Sequence, residues 1–327
     1  MAKKLHSNIA DVYASRGTTY SHEGQYEKAI ADFSKALQID SKNLTAYVNR
    51  GFTYAQKGRF ARAIADFNKA LELDPNFAEG YYNRGSAYAC EGLYGRAIAD
   101  FNRALGMKPR DAKAYVNRGI AYGHQGKYTR AIADFNRALE VNPGDAIAFY
   151  GRGSAYSNKG QHARAIADFN KALEINPSFA EAYYERGITY GRKGKYTQAI
   201  VDFSRALQLN PCDATVYLDR GVAHGCQGQH VKAIADFSKA LKINPSNASA
   251  YYSRGTVHSH RGKYARAIAD FNRALEINPG DPRVYVNRGH AYWQLGFAEK
   301  ATQDYLAGAR LGNDTALDLL KSRGIVW

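Results

Sequence analysis

The sequence predicts an all-α fold, a solenoid built from antiparallel helix pairs. The first indication is an Arg-Gly pair that recurs nine times at a spacing of 34 residues, from Arg16-Gly17 to Arg288-Gly289, without insertion or deletion. The others are apolar residues at helical spacing within each unit, and glycine or proline at fixed positions between the helical segments. A fixed period of this length is typical of one small structural unit stacked many times.

The first half of each unit has the pattern of an amphipathic helix. The fourth unit covers residues 112–145, with the Arg-Gly pair at positions 7 and 8; in it Tyr115, Gly119 and Tyr122 recur at the spacing of one helix face. Gly126, at position 15, predicts the left-handed turn that ends this helix. Position 15 is glycine in all nine units, so the same turn is expected throughout.

The second half of the unit predicts another helix. Ala131, Phe135 and Ala138 form its i, i+4, i+7 stripe, and Pro143-Gly144 then ends the helix and turns the chain. Each unit is therefore predicted to be an antiparallel helical hairpin. A hairpin of this size is too small to bury a core alone and must pack against its neighbours.

These spacings resemble the tetratricopeptide repeat. Position 8 is Gly and position 20 is Ala in all nine units, position 24 is Phe in eight and position 32 is Pro in seven. The sequence departs from the family at position 4, where Tyr or Phe149 replaces Trp, and at position 7, where Arg replaces Leu. The resemblance covers nearly the whole chain. It implies a right-handed superhelix whose first helices line a concave inside, where ligands lie as extended peptides or short helices.

The repeats also define the domain organisation. Residues 1–9 are an N-terminal lead-in, expected to be loosely ordered, and residues 10–315 are nine tandem repeats. Residues 316–327 are a capping helix and tail, in a segment whose N-cap is expected around Asp314. No nucleophile with a base, paired carboxylate or phosphate loop stands outside the repeat skeleton. The chain is therefore not expected to be an enzyme or to carry a cofactor.

Position 23 is Asp in all nine units, at nearly the same height as the position-7 Arg in an antiparallel hairpin. A half-buried Arg needs such a partner, so a ladder of Arg–Asp pairs is expected. Two alternatives are open. The arginines could line a groove for anions, or the aspartates could pair instead with the basic residues at positions 19 and 26, such as Arg130 and Arg137 around Asp134.

The chain is basic, with a net charge of +15 and a pI of about 9.5. Positions 19 and 26 are each basic in eight units, which predicts a regular basic stripe along the second helices. This stripe is either a solvated edge or an electrostatic surface for nucleic acid or an acidic partner.

The positions that vary most from unit to unit lie on the first helix, opposite the core stripe. Position 5 carries four tyrosines that the skeleton does not need, and position 6 carries four asparagines. These candidate ligand-binding residues are Tyr82, Tyr150, Tyr184, Tyr252, Asn49, Asn83, Asn117 and Asn287. Tyrosine is enriched in binding hot spots, and the family resemblance implies that Asn here grips a peptide backbone. Two alternatives are open: the tyrosines could fill the seam between adjacent first helices, and the asparagines could simply be solvated.

Some family members hold a C-terminal carboxylate in a clamp that needs Lys at position 5 and Arg at position 6. Neither occurs here, although Lys113 at position 2 and the asparagines survive, so binding of that type is not expected. The pairs His224/Cys226 and His258/His260 suggest a metal site. Positions 11 and 13 lie about 200° apart on a helix, however, so no metal is expected.

The sequence thus predicts a protein-interaction scaffold that binds a peptide or protein segment in the concave groove. The alternatives are an electrostatic adaptor that uses the basic stripe and a solenoid that associates with itself. Three scattered cysteines fit a reducing, cytoplasmic compartment, and no apolar stretch is long enough to span a membrane.

Overall fold

The computed structural model describes residues 2–325, with backbone alone for residues 2–7. Within these residues the chain forms nineteen α-helices and no strand, and it divides after Ile175 into two compact units. Unit 1 contains α1 (Ala2–His22), α2 (Tyr26–Ile39), α3 (Leu44–Gln56), α4 (Phe60–Leu73), α5 (Ala78–Cys90), α6 (Tyr94–Met107), α7 (Ala112–His124), α8 (Tyr128–Val141), α9 (Ala146–Asn158) and α10 (His162–Ile175). Unit 2 contains α11 (Ala180–Arg192), α12 (Tyr196–Leu209), α13 (Ala214–Cys226), α14 (His230–Ile243), α15 (Ala248–His260), α16 (Tyr264–Ile277), α17 (Pro282–Gln294), α18 (Ala298–Arg310) and α19 (Asp314–Lys321).

Each unit is a stack of helical hairpins, in which an odd-numbered first helix packs on the even-numbered second helix that follows it. The predicted stripe of α8 is confirmed, because Ala131, Phe135 and Ala138 are at most 2% exposed. They pack against Val116 of α7 and Ala148 of α9. The core of each hairpin therefore continues into the next repeat within the unit.

Glycine is required at two places in the hairpin. Gly126 ends α7 with a φ of +71°, the left-handed conformation predicted for position 15. Gly119 lies where α7 crosses α8, and a Cβ atom there would lie 3.0 Å from Cε1 of Phe135. The first glycine permits the turn, and the second permits the close approach of the two helices.

The helix ends follow the side chains that cap them. Asp145 begins α9 by accepting hydrogen bonds from the backbone N–H groups of Ile147 and Ala148, so its carboxylate satisfies two otherwise unpaired donors. Equivalent Asp or Asn caps precede most of the other first helices.

The first and last helices of the described chain are α1 and α19. Residues 2–9, expected to be loosely ordered, are assigned to the first turns of α1, which runs from Ala2 to His22. The last helix, α19, is capped by Asn313, which accepts from the Ala316 N–H, so the cap lies one residue before Asp314. Ala316 and Leu320 of this helix are fully buried against α18.

Candidate functional site

The invariant Arg and Asp of each repeat form a ladder of bidentate ion pairs. In repeat 4, Nε of Arg118 donates to Oδ2 of Asp134 at 2.8 Å, and Nη2 donates to Oδ1 at 2.6 Å. The nine pairs are Arg16–Asp32, Arg50–Asp66, Arg84–Asp100, Arg118–Asp134, Arg152–Asp168, Arg186–Asp202, Arg220–Asp236, Arg254–Asp270 and Arg288–Asp304. This Arg–Asp ladder confirms the predicted pairing and engages the arginines that an anion groove would need.

A third hydrogen bond from the same arginine reaches the preceding repeat. Nη1 of Arg118 donates to Oδ1 of Asn102 at 2.7 Å. The same contact joins Arg50 to Ser34, Arg84 to Asn68 and Arg152 to Asn136 in unit 1, and Arg220 to Ser204, Arg254 to Ser238 and Arg288 to Asn272 in unit 2. The acceptor is position 25, which is Ser or Asn in eight repeats. This signal was present in the sequence, and the prediction of a ladder within each repeat missed it.

The basic stripe does not compete for the aspartates. Arg130, at position 19, lies over the ring of Tyr122 at 5.8 Å, and Arg137, at position 26, pairs with Glu140 at 2.8 Å. The same position-26 pairing with a glutamate three residues later occurs at Lys69, Lys171 and Arg273. The alternative pairing of these bases with the position-23 Asp is therefore wrong. Part of the stripe's charge is also neutralised within the chain.

The position-5 tyrosines lie between consecutive first helices. Tyr82 is half-buried, its ring centroid lies 6.0 Å from that of Phe101, and its hydroxyl accepts a hydrogen bond from Nδ2 of Asn117 at 3.0 Å. Tyr252 and Asn287 repeat this contact at 2.9 Å. We call Tyr82–Asn117 and Tyr252–Asn287 the Tyr–Asn pairs. The tyrosines thus contribute to the seam between adjacent first helices.

The other candidate residues lie on first helices of their own units and have different partners. The hydroxyl of Tyr184 donates to Oδ2 of Asp219 at 2.8 Å, and burial raises the pKa of this Asp. Nδ2 of Asn49 donates to Oγ1 of Thr18 at 3.0 Å. Tyr150 and Asn83 are half-buried on their first helices. The structure therefore brings together two Tyr–Asn pairs, one in each unit, and does not join all eight residues into one cluster.

A pocket that was not predicted from the sequence lies between α7 and α9, with a volume of ≈ 280 Å³. Its lining residues are Gly119, Ile120, Gly123, His124, Tyr128, Phe135, Tyr150, Gly151, Ser154, Ala155 and Asn158. Small residues dominate the two helices here. Position 6 is glycine only at Gly151, which is the one signal that could have indicated this α7–α9 pocket.

The histidines of repeats 7 and 8 have no metal-binding arrangement. His224 and His258 are at most 8% exposed, and Nε2 of each lies 3.8–4.0 Å from the Asp at position 23 of its repeat. Burial lowers the pKa of both imidazoles. Among residues 2–325, no group of three or more His, Cys, Asp or Glu side chains is placed to hold a metal ion. No helix in that range is long and apolar enough to cross a membrane.

The fold and the repeated skeleton define an α-solenoid repeat protein. Family models described as tetratricopeptide repeat or TPR repeat match residues 17–58, 53–92, 78–111, 116–180, 180–211, 226–259, 260–296 and 282–311. The chain therefore belongs to the tetratricopeptide repeat family, as predicted. A comparison with curated proteins gives no match.

Solved structures share the fold. A tetratricopeptide repeat protein from Parabacteroides merdae is 24% identical over 75% of this chain and 97% of that chain, with a TM-score of 0.55. The C-terminal part of a TPR repeat-containing protein from Cytophaga hutchinsonii is 22% identical over 72% and 98%, with a TM-score of 0.59. Pseudomonas aeruginosa pilF is 19% identical over 64% and 97%, with a TM-score of 0.57. The predicted all-α solenoid of helix pairs is confirmed.

Proposed function

We propose that this protein is a non-enzymatic interaction scaffold that binds a peptide or protein segment along the face formed by its first helices. Membership in the tetratricopeptide repeat family supports an interaction scaffold in general. The observation that carries the more specific proposal is the geometry of the Tyr–Asn pairs.

Each Tyr–Asn pair offers one acceptor and one donor to a ligand. Nδ2 of Asn117 donates to the Tyr82 hydroxyl and, at 3.5 Å, to Oγ of Ser86, which leaves Oδ1 as an acceptor without a protein donor among the described residues. Because the hydroxyl oxygen accepts, its own hydrogen can be donated outward. A peptide group needs one acceptor for its N–H and one donor for its C=O. Tyr82–Asn117 would therefore hold one peptide group of an extended segment on unit 1, and Tyr252–Asn287 would do the same on unit 2.

The proposal is tested with peptides selected from a random phage-displayed library against the full chain. Affinity is then measured for the wild type, Asn117→Ala and Tyr82→Phe. Loss of one hydrogen bond that fixes the ligand backbone costs about 0.5–1.5 kcal/mol, so each variant should bind 2- to 10-fold more weakly. Asn76→Ala, in an exposed turn of the same unit, is the control and should bind like the wild type.

The salt dependence of binding separates the proposal from its rival. Binding through the Tyr–Asn pairs, which are uncharged, should change little between low and high salt. An affinity that falls steeply with log[salt] and is unchanged in Asn117→Ala would instead favour an electrostatic adaptor that uses the basic stripe. Self-association, the third possibility, would appear as a concentration-dependent mass in light scattering.

A further inference from the structure

We propose that repeats 4 and 5 form a two-part site for a ligand segment that carries an apolar side chain next to a carboxylate side chain. The inference rests on the proposed function and names a chemical class of partner for one part of the first-helix face. The apolar side chain would occupy the α7–α9 pocket. The carboxylate would occupy a neighbouring basic recess.

The α7–α9 pocket is shaped for an apolar group. The buried side chains of Phe135 and Ala155 line it, together with Ile120, which is 37% exposed. No carboxylate lines it. Burying one leucine or phenylalanine side chain there would remove apolar surface of both partners from water.

Gly151 explains why the pocket lies between these two helices. A Cβ atom on this residue would lie 2.4 Å from Cζ of Phe135, so only glycine permits the α9 backbone to approach that ring as it does. Gly123 faces α9 from α7 and also lacks a side chain that could fill the space.

The basic recess has a volume of ≈ 360 Å³ and is lined by Gly126, Lys127, Tyr128, Thr129, Arg130 and Lys159. Tyr128 lines both the recess and the α7–α9 pocket, so the two cavities adjoin. Nζ of Lys159 donates to Oγ1 of Thr129 at 2.8 Å, and Nζ of Lys127 donates to Oε1 of Gln125 at 2.8 Å. Arg130 lies over the ring of Tyr122, so the contacts described for these three cations are with neutral groups.

The corresponding place in repeats 1 and 2 already contains a carboxylate. Glu27 stands at position 18, where repeat 4 has Thr129, and it accepts from Nζ of Lys57 at 2.6 Å and from Nη2 of Arg59 at 3.0 Å. Lys57 occupies the same repeat position as Lys159. The recess of repeats 1 and 2 thus accommodates a carboxylate, and of its two cationic partners Lys57 corresponds to Lys159 and Arg59 to the neutral Gln161. In repeats 4 and 5 Thr129 takes the place of the glutamate, which leaves room in the recess for the carboxylate of a partner.

The two cavities together select the sequence of the ligand. Because the two cavities share Tyr128, we expect the apolar and acidic side chains on adjacent residues of the ligand or two residues apart. The site is therefore expected to prefer a Phe-Glu or Leu-Asp type of segment over the same segment with either side chain replaced.

The test measures binding of three twelve-residue Gly/Ser peptides to the full chain by fluorescence anisotropy. Their central residues are Phe-Glu, Phe-Gln and Ala-Glu. The Phe-Glu peptide should bind about 10-fold more tightly than either of the others. In Thr129→Glu, which places the carboxylate of repeat 1 in repeat 4, the preference for Phe-Glu over Phe-Gln should disappear. Ala61→Glu adds the same charge at the same position of repeat 2 and should keep the preference.

Retention of the full Phe-Glu preference by Thr129→Glu would overturn the proposal, and so would equal binding of the three peptides by the wild type. Binding of a single-stranded oligonucleotide that Thr129→Glu abolishes, with no binding of the Phe-Glu peptide, would overturn it in favour of nucleic acid. A library-selected peptide titrated in parallel distinguishes failure of the two-part site from failure of the proposed function. If that peptide binds and the Phe-Glu peptide does not, the two-part site alone is wrong, whereas failure of both contradicts the proposed function as well.

Discussion

Arg118 and Asp134 form a bidentate ion pair across the hairpin of repeat 4, with 18% and 7% of their side-chain surfaces exposed. The third donor of the guanidinium binds Asn102 in repeat 3. The arginine therefore joins the two helices of its own repeat and also joins that repeat to the one before it. Since the contact recurs along each unit, the Arg–Asp ladder stabilises both the hairpins and their stacking.

Arg118→Ala should strongly destabilise the protein. The substitution leaves the Asp134 carboxylate buried without its cation, and breaking a buried pair in this way costs about 3–5 kcal/mol of the free energy of unfolding. Urea unfolding followed by circular dichroism measures the loss. Arg137→Ala, which breaks the exposed pair with Glu140, should cost at most about 0.5 kcal/mol.

The double variant Arg118→Met/Asp134→Leu tests the cause of that loss. Replacing both charges with apolar side chains removes the uncompensated carboxylate, so stability should recover to a large extent. If Arg118→Ala unfolded at the urea concentration of the wild type, the ladder would not contribute to stability as inferred.

Gly126→Ala should be destabilising, whereas Gly106→Ala should be stabilising. Gly126 has a φ of +71°, and an L-residue in that conformation costs about 1–2 kcal/mol. Gly106 lies within α6 with no atom within 4 Å of an added Cβ, so alanine there should gain about 0.5–1 kcal/mol through its higher helix propensity. Thermal unfolding should give a lower melting temperature for Gly126→Ala and a higher one for Gly106→Ala. Shifts of the same sign would contradict the left-handed conformation of Gly126 or the helical position of Gly106.

The sequence predicted the hairpins and the Arg–Asp pairing because both depend on residues that do not vary between repeats. The hydrogen bond from Arg to position 25 of the preceding repeat was not predicted, because that position is Ser in some repeats and Asn in others. Their common role as acceptors appears only when neighbouring repeats are placed side by side. The α7–α9 pocket was missed for a different reason. It depends on how closely the backbone at Gly151 approaches Phe135, and this distance follows from the packing of three helices and not from spacing in the sequence.

Unit 2 should lose stability in mild acid because of its two buried histidines. Burial lowers the pKa of His224 and of His258 below the ordinary value of 6.5, although Asp236 and Asp270 partly offset this effect. As the pH falls through 6.5 toward the lower folded-state pKa values, the unfolded chain binds protons that the folded chain resists. Stability is therefore full above pH 6.5 and declines below it.

This pH dependence is measured as the urea midpoint at pH 7.5 and pH 5.5. The variant His224→Tyr/His258→Tyr restores the residue found at position 11 in the other repeats, so it should show a smaller decrease between the two pH values than the wild type. His260→Gln, at an exposed site, should retain the wild-type decrease. An identical decrease in the double variant would assign the acid sensitivity to other groups.

Leu320→Ala should loosen the end of unit 2 and leave its start intact. Leu320 of α19 is fully buried against Ala301, Tyr305 and Ala309, and such a substitution costs about 2–5 kcal/mol. In a stack of repeats each repeat contacts mainly its neighbours, so the loss of stability should be greatest in the repeat that adjoins α19. Hydrogen exchange should therefore accelerate in α17 and α18 while α11 and α12 keep their protection. Leu311→Ala, at a residue that is 45% exposed, is the matched control and should leave hydrogen exchange in all four helices unchanged. Equal acceleration of exchange in all four helices of Leu320→Ala would mean that unit 2 unfolds as a single cooperative body.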